Sequence, residues 1–594
     1  MSIYHAVLLD TVSIQKYVFQ SNKLRENLGA SFLVEEMYKK YLNDAVVEVF
    51  KRSFDLDAWK KEPSVLRIHD EPFEVGYVGG GNALLLFQEK EKAEYFIKEW
   101  TTSLLIHTPG IIPAVALSEF DSDNFKDSKE NIFRILRKNK SEYVPETIIP
   151  RHGITSECPH SGFSMDIWNS TEQKYVSAST NAKIEASGDA KRHLSKLAQE
   201  YLPEHKEKLE NEFCFTDHLE KLGGMHGEDS HIAIVHIDGN SMGDRFKKMA
   251  FPDEIRKLSI TVDKATQNAF FCGLLRSVIG DFKGIMESLG FDNAPIYPHG
   301  DFKLTEPCLG ALKENSVSEA IIDKLRKLKG KTFPTENNLL KALKKTVGNS
   351  LAESYKHLIF KHADKKKVIP IRPIILGGDD VTFVCDGKLG IYFSKLFMES
   401  FEKKRVSDEK PLSACAGIAV IKTKYPFHRG YTLAEKLCEN AKKKRRNNRD
   451  SCSYIDFHIS TGGIAGTLEH IRKKYYEVSR GTLMYRPYKL VSKDQDERSF
   501  DLFVKNTGML RKRFPKNKIH ELRQVLSLSE ETALQFVREA KFRERELPEI
   551  PERNYHISLF ENKITPYFDM IELGAFYPDF VWNPTEASDE KTQT

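Results

Sequence analysis

The sequence has no apolar run long enough to cross a membrane, and this absence bounds the class of protein. No stretch approaches the roughly 20 apolar residues that a membrane-spanning helix requires. The first residues, Met1 to His5, also lack the charged and apolar regions of a signal peptide. We therefore expect a cytoplasmic protein with no membrane partner.

Cysteine is scarce and scattered. The chain holds 8 cysteines, and no two show the two-residue spacing that structural zinc sites favour. In a reducing cytoplasm most of them should be free thiols. In one region His152, Cys158 and His160 lie close together and could supply zinc ligands, with a fourth from elsewhere such as Cys214. An ordinary polar loop is the favoured explanation of these residues, and zinc binding is the alternative.

A strong net charge is absent as well. The chain carries +5, because 90 basic residues are set against 85 acidic ones among 594. Binding of nucleic acid would therefore need local basic patches, for which Lys403 to Arg405 and Arg511 to Lys518 are candidates. A composition of 40% hydrophobic and 29% charged residues is typical of a globular protein, and the length predicts several domains.

The most informative motif is Gly377-Gly378-Asp379-Asp380, between the apolar runs Val368 to Leu376 and Val381 to Cys385. This pattern predicts a β-hairpin that presents two carboxylates at its tip. A second acid ends the apolar strand Ile232 to Ile237: Asp238 is followed by a turn of Gly239, Asn240, Ser241, Met242 and Gly243. Adjacent carboxylates of this kind can hold a divalent metal ion against a nucleotide triphosphate.

The order of strands and helices around these motifs occurs twice. In the first copy, a strand ending at Asp10 precedes a hairpin with Gly79, Gly80, Gly81 and Asn82 at its tip. We predict an α+β fold with two ferredoxin-like palm domains of the nucleotide cyclase and polymerase type. Because an amide binds magnesium far less well than a carboxylate, the copy that carries Asn82 should be catalytically silent.

Four domains follow from this repetition. They are a degenerate first palm at 1–120, a linking domain at 121–230 that includes the zinc candidates, a second, catalytic palm at 231–465 with an insertion near 291–345, and a C-terminal helical domain at 466–594.

The sequence resembles the large palm-domain subunit of type III CRISPR effector complexes, which converts ATP into cyclic oligoadenylate when its complex senses foreign RNA. The resemblance covers nearly the whole chain in the same order. The segments that carry it are Ser13 to Phe19, Gly29 to Ser31, Asp238 to Gly243, Pro373 to Asp380, Ala416 to Ala419 and Ala441-Lys442.

The resemblance implies a metal-dependent nucleotidyltransferase that works with other type III subunits, guide crRNA and target RNA. Family members commonly begin with a nuclease domain built on adjacent His and Asp, whereas this chain starts in the first palm strand. Its His69-Asp70 dipeptide lacks the further ligands that such a site requires. We therefore expect a form without that nuclease, which acts by signalling.

Nucleotidyl transfer needs Mg²⁺ or Mn²⁺ beside the attacked α-phosphate. We assign Asp238, Asp379 and Asp380 to catalysis and metal binding, with the carbonyl of Ile237 or Gly239 completing the ligand set. The amides of Gly239 to Gly243 suit a triphosphate, together with Gly377 and Gly378 of the hairpin. Lys442 is expected to reach the same phosphates, although the run Lys442 to Arg446 is equally typical of a solvated helix end.

The acceptor nucleotide should lie where the two palms meet. Its candidate contacts come from three segments of the first palm: Ser13, Gln15, Ser31, Gly80 and Asn82. Glycines allow close approach of the backbone to a ligand, but a tight turn explains them too.

Three alternatives remain open from the sequence. Some family members without the nuclease resemble enzymes that join AMP to S-adenosylmethionine. The chain could instead be a non-catalytic RNA-binding subunit, although its intact acids weigh against this. A GGDEF or class III cyclase shares the palm, but it usually has a single palm.

Overall fold

The computed structural model describes residues 3–60, 71–121, 123–142, 155–170, 172–222, 230–249, 251–290, 296–298, 302–304, 306–329, 331–333, 336–362, 365–460, 466–490 and 496–582. His69-Asp70 and His152 lie outside the described residues, as does part of the expected insertion near 291–345.

In chain order the strands are β1 (Ile3–Val12), β2 (Phe73–Gly79), β3 (Asn82–Phe87), β4 (Ile112–Asp121), β5 (Ile167–Asn169), β6 (Lys174–Val176), β7 (Phe213–Cys214), β8 (His231–Gly239), β9 (Ile296–Pro298), β10 (Phe302–Lys303), β11 (Thr332–Phe333), β12 (Lys365–Val368), β13 (Ile371–Gly377), β14 (Asp380–Asp386), β15 (Ala414–Lys422), β16 (Ser453–Ile459), β17 (Glu477–Val478), β18 (Gly481–Thr482) and β19 (Tyr488–Leu490).

The α-helices are α1 (Ile14–Phe19), α2 (Leu24–Tyr38), α3 (Lys40–Phe50), α4 (Leu56–Lys60), α5 (Lys90–His107), α6 (Phe125–Glu142), α7 (Ala178–Tyr201), α8 (Lys206–Asn211), α9 (Met242–Lys248), α10 (Pro252–Asn268), α11 (Arg276–Gly280), α12 (Phe282–Ser288), α13 (Glu306–Glu314), α14 (Glu319–Arg326), α15 (Glu336–Val347), α16 (Asn349–His362), α17 (Gly390–Glu402), α18 (Phe427–Asn448), α19 (Leu468–Tyr476), α20 (Phe500–Arg513), α21 (Lys516–Val525), α22 (Glu530–Phe542), α23 (Tyr555–Ser558), α24 (Tyr567–Ala575) and α25 (Asp579–Trp582). The segments Pro203–His205 and Leu219–Lys221 are 3₁₀-helical, and Ala269–Leu275 is π-helical.

Two sheets share one strand order. The first sheet runs β2-β3-β1-β4, and the second runs β13-β14-β8-β15 and continues through β16 and β19. In each sheet a central strand lies between a hairpin and a later strand, and both of its neighbours are antiparallel to it. The chain thus contains two copies of the same arrangement, and both are mixed α/β in character.

The central strand β1 shows why the sheet is covered on both faces. Its successive side chains point to opposite faces, and all four residues from Ala6 to Leu9 are buried. Val7 and Leu9 belong to the core formed with α5, where Ala93, Phe96, Trp100 and Leu104 recur at helical spacing. Ala6 and Leu8 face the core formed with α6.

The two copies share a continuous apolar core. Ile232 and Ile234 of β8 and Phe427 and Tyr431 of α18 belong to the same buried cluster as the first copy's α1 and α5. The ring of Phe19 stacks on Tyr431 with centroids 3.7 Å apart. This packing fixes the first copy against the helix that flanks Asp238.

The chain divides into two compact units. The larger comprises Met1–Arg192, Asp217–Ser277 and Pro373–Thr594, and the smaller comprises His193–Thr216 and Val278–Arg372. The expected insertion near 291–345 falls within the smaller unit, whose own apolar core is formed by residues such as Leu309, Leu312, Leu339 and Leu343. Both sheets described above belong to the larger unit, apart from the first two residues of β13.

The C-terminal helices join the second sheet through a buried arginine. Arg486 donates to the carbonyl of Phe457 in β16 at 2.7 Å and pairs with Asp569 and Glu572 of α24. Because leaving either carboxylate unpaired would be costly, this network links α24 firmly to the sheet. Among the described residues, no helix combines the length and the apolar character that crossing a bilayer demands.

Candidate functional site

The strand register brings Asp238 and Asp380 together. They are directly paired across the antiparallel strands β8 and β14, so their side chains leave the sheet on the same face. Between β13 and β14 only Gly378 and Asp379 remain, and Gly378 has a φ of 61°. A residue without a side chain suits this backbone, and the resulting tight turn places the two acids of the motif at the tip of the hairpin.

His236 joins this pair and was not foreseen from the sequence. His236, Asp238 and Asp380 each offer a ligand atom, and these atoms all lie within 4.8 Å of one another. His236 is two residues before Asp238 on β8, so it shares the same face. Two carboxylates and an imidazole are donors that a divalent cation binds, which makes this cluster a candidate metal site.

Asp379 occupies a different place from Asp380. Its carbonyl accepts from the amide of Gly239 at 3.2 Å, and its side chain lies against Gly239. A Cβ at position 239 would stand 2.7 Å from the Cβ of Asp379 and 3.0 Å from its Oδ2. The glycine after Asp238 is therefore needed so that the hairpin tip can approach the central strand.

The acids of the site have raised pKa values. Burial, and then the charge of Asp238, raises the pKa of Asp379 to about 6. Burial together with the charges of Asp238 and Asp379 raises the pKa of Asp380 well above its usual range. Burial lowers the pKa of His236 to about 4, so its imidazole is neutral near pH 7. A cation bound between these acids would offset the repulsion between their charges.

Helix α18 supplies two basic side chains to the same place. The ammonium group of Lys442 pairs with Oδ2 of Asp238. Burial opposes the charge of Lys442, but its acidic neighbours outweigh that effect, and its pKa is raised. One turn later Nη2 of Arg445 donates to Oγ of Ser241 at 3.2 Å. The basic run thus presents at least these two residues to the site.

Ser413, directly before β15, and Cys415 of β15 hold the turn after Asp238 in place. The amide of Asn240 donates to the carbonyl of Ser413 at 2.8 Å, and its side chain bonds Ser413 and Cys415. Ser241 has a left-handed backbone with φ 60°, after which Met242 and Gly243 begin the short helix α9. The amides of Gly239 and Asn240 are therefore engaged within the protein, unlike the expectation that the whole turn faces a triphosphate. Ile237 lies inside the sheet, paired with Val381 and Ala416.

Two side chains of helix α10 hydrogen-bond to the tip of the hairpin. The amide of Gly378 donates to Oδ1 of Asp263 at 3.0 Å, and its carbonyl accepts from Oγ1 of Thr266 at 2.6 Å. The tip also meets the hairpin of the first copy: a Cβ on Gly378 would stand 3.6 Å from the Cα of Gly80. Gly377 itself has open space around it. The two glycine-rich tips thus lie side by side.

The first copy repeats the geometry with different donors. Asp10 pairs with Asn82 in the register that Asp238 has with Asp380. Asp10 forms an ion pair with Lys140 of α6, as Asp238 does with Lys442 of α18. Three residues after each aspartate a serine has a left-handed backbone, Ser13 with φ 55° and Ser241 with φ 60°. The copies therefore differ at the hairpin acids and agree in the scaffold around them.

The other expected acceptor contacts are spread around the first hairpin. Ser13 is exposed at the start of α1, while Gln15 and Ser31 are half-buried on α1 and α2. Nδ2 of Asn82 donates to the carbonyl of Gly80 at 3.4 Å. A Cβ on Gly81 would stand 2.6 Å from Cδ1 of Ile14, and the φ of Gly81 is 74°, so an aspartate at that position would require the Ile14 side chain to move and would adopt a backbone that favours glycine.

The expected zinc ligands have protein partners. Nδ1 of His160 contacts the carboxylate of Glu26, and its Nε2 lies 3.1 Å from Nζ of Lys174. Sγ of Cys158 lies 3.6 Å from the hydroxyl of Thr180. Among the described residues, the cluster with metal-binding geometry is the one at His236, Asp238 and Asp380.

No family model matches this chain, and no curated protein matches its sequence. Solved structures of Csm1 are similar to it. For Csm1 in T. onnurineus the TM-score is 0.44 at 12% identity, covering 97% of this chain and 70% of that chain. For the Csm1-Csm4 cassette in complex with AMPPNP the TM-score is 0.43 at 11% identity, and with cA4 it is 0.42 at 11% identity; each covers 96% of this chain and 70% of that chain.

Proposed function

We propose that this protein is a metal-dependent nucleotidyltransferase that uses ATP to make a signalling nucleotide, most simply cyclic oligoadenylate. The observation that carries the proposal is the cluster of Asp238, Asp380 and His236, closed on one side by Lys442. A protein with a purely structural role does not need two acids and a neutral imidazole in one cluster, because placing like charges close together in a partly buried site costs free energy.

The two copies are proposed to be palm domains with unequal roles. The second carries the donors for a cation, while the first has Asn82 where the second has Asp380. The glycine tips at Gly80 and Gly378 adjoin, which favours an acceptor nucleotide near the first tip and a donor ATP near the second.

Each residue has a defined task in this proposal. Asp238, Asp379 and Asp380 hold Mg²⁺ or Mn²⁺, which when bound stabilises the attacking 3′-oxygen and the departing pyrophosphate. Lys442 leaves Asp238 to meet the phosphates, and Arg445 reaches the same turn. Asp263 and Thr266 fix the position of the hairpin tip through hydrogen bonds to the amide and the carbonyl of Gly378.

The wider setting is also a proposal. The motifs that resemble type III CRISPR large subunits, from Asp238 to Gly243 and from Pro373 to Asp380, favour assembly with other subunits of such a complex, guide crRNA and target RNA. Two of the similar solved structures are Csm1-Csm4 cassettes, one in complex with AMPPNP and one with cA4.

Product analysis by mass spectrometry tests the function. The protein, alone and in its guide complex with matching RNA, is incubated with ATP and Mg²⁺ or Mn²⁺, with and without S-adenosylmethionine. We expect oligoadenylate from the wild type and none from Asp379→Ala combined with Asp380→Ala. An adduct that forms only with S-adenosylmethionine would change the acceptor but keep the site.

A matched pair of variants gives the control. Asp238→Asn and Asp10→Asn remove equivalent acids from the two copies, each from an ion pair with lysine. The proposal expects loss of product only for Asp238→Asn. Equal loss in both variants, or product from the double alanine variant at the wild-type rate, would contradict the assignment. No product from an assembled complex under any condition would favour a structural subunit.

A further inference from the structure

The face of the second sheet that carries the acids also carries a histidine and a threonine. His236 pairs with Thr382 and Asp238 pairs with Asp380 across β8 and β14. Because residues two apart on a strand share a face, all four side chains project to the same side. The imidazole and the two carboxylates therefore form one constellation.

The distances in this constellation fit one cation. Donors bound to a single first-row cation at about 2.1 Å lie roughly 3 to 4.2 Å from one another. The ligand atoms of His236, Asp238 and Asp380 lie within 4.8 Å of one another, so a movement of less than about 1 Å by each side chain is enough for them to share one cation.

One ring nitrogen of His236 is already engaged within the protein. Nδ1 lies 3.1 Å from Oγ1 of Thr382, and the ring packs edge-on against Tyr431 with centroids 5.7 Å apart. Histidines that bind metals are commonly oriented by a hydrogen bond of the other ring nitrogen. Thr382 and Tyr431 provide that support by holding the imidazole in place beside the two carboxylates.

The first copy shows that the fold does not require this polar pair. At the equivalent register, two residues before Asp10, the pair is Leu8 and Leu84. Both leucines are buried in an apolar core. Burying an imidazole and a hydroxyl in the same place costs free energy of desolvation, whereas burying two leucines does not. The polar pair occurs in the copy that also has the second carboxylate, which points to a joint role.

We propose that His236 is a further protein ligand of the cation held by the aspartates, beside Asp238 and Asp380, and that its nitrogen makes the site favour a first-row transition-metal ion such as Mn²⁺ over Mg²⁺. This inference rests on the proposed function. Mg²⁺ prefers oxygen ligands in near-ideal octahedral geometry and keeps its waters, whereas imidazole suits transition metals better.

Electron paramagnetic resonance of Mn²⁺ bound to the full-length protein, without nucleotide, tests the inference. The sample is prepared with ¹⁵N-labelled histidine, and pulsed measurements read the coupling between Mn²⁺ and nitrogen. The test variant combines His236→Leu with Thr382→Leu, which reproduces the pair found in the first copy. His231→Asn, at the start of the same strand, is the matched control.

We expect a histidine nitrogen coupling in the wild type and in His231→Asn, and none in the double leucine variant. The preference for Mn²⁺ over Mg²⁺, measured by competition, should fall at least about tenfold in that variant. Mn²⁺ bound without nitrogen coupling in the wild type, or coupling that persists in the double leucine variant, overturns the role of His236 and leaves the carboxylate site intact. Failure of the wild type to bind Mn²⁺ overturns the proposed function as well. Should the double leucine variant not fold, His236→Asn gives the same readout.

Discussion

The glycine after Asp238 allows a sharp test of how the site is built. Gly239→Ala adds a Cβ that would stand 2.7 Å from the Cβ of Asp379, 3.0 Å from its Oδ2 and 3.2 Å from Cγ of Met242. Contacts below 3.0 Å do not persist, and the closest atom belongs to a tight turn. The hairpin tip must therefore move away from β8.

The expected cost follows from this overpacking. Inserting a methyl group into a packed place typically costs about 1 to 3 kcal/mol. Gly239 is not one of the described glycines with a positive φ, so backbone strain adds nothing to this cost. Displacement of Asp379 should also lower nucleotide transfer strongly, because carboxylates act on a cation only at short range.

Gly243→Ala is the matched control in the same turn. A Cβ there meets nothing within 4 Å, and the residue lies in α9, where alanine is favoured over glycine by up to about 1 kcal/mol. Thermal unfolding should show a Tm lower by about 1 to 3 °C for Gly239→Ala and an unchanged or higher Tm for Gly243→Ala. Equal Tm values for the two variants, with full transfer activity in Gly239→Ala, would refute this account of the turn.

Three further outcomes are expected. Arg256→Met should destabilise the protein by about 3 to 5 kcal/mol, because it removes the guanidinium that pairs with the buried carboxylate of Glu74, to which the indole of Trp59 also donates; adding Glu74→Met should recover most of the loss in Tm. Burial and the charges of Arg486 and Arg472 lower the pKa of His458 to about 3, so the unfolded chain takes up a proton below about pH 6.5 that the folded chain refuses. The Tm of the wild type should therefore fall more steeply than that of His458→Gln between pH 6.5 and 4, and parallel curves would contradict this. Asn82→Ala should raise the KM for the acceptor several-fold with kcat little changed, whereas complete inactivity would show that the first copy takes part in the chemistry.

Much of the order of elements is predictable from the sequence, because buried strands leave clear apolar runs. The strands expected to end at Asp10 and Asp238 are present as β1 and β8. The sequence from Leu24 to Phe50 predicts one helix-prone stretch, whereas the structure has two helices, α2 and α3, separated at Lys39, whose backbone is not helical. No glycine or proline marks that break, so the sequence gives no signal for it.

Only the site residues that belong to recognisable sequence motifs are predictable. The pairing of Asp238 with Asp380 depends on register across residues far apart in the chain, and the glycine turn made it foreseeable. His236 looked like one polar residue in an apolar strand, and only the neighbouring strand shows its relation to the acids. Asp263 and Thr266 are three residues apart on one helix face, a signal that is also typical of ordinary polar helices.

The most direct test of the central claim is the product released from ATP. Nucleotidyl transfer breaks the bond between the α- and β-phosphates and releases pyrophosphate, whereas hydrolysis at the γ-phosphate releases phosphate. With Mn²⁺ or Mg²⁺ and the assembled complex, we expect pyrophosphate in proportion to nucleotide product from the wild type and from Asp10→Asn, and none from Asp238→Asn. Release of phosphate alone, or of pyrophosphate that survives in Asp238→Asn, would contradict the account.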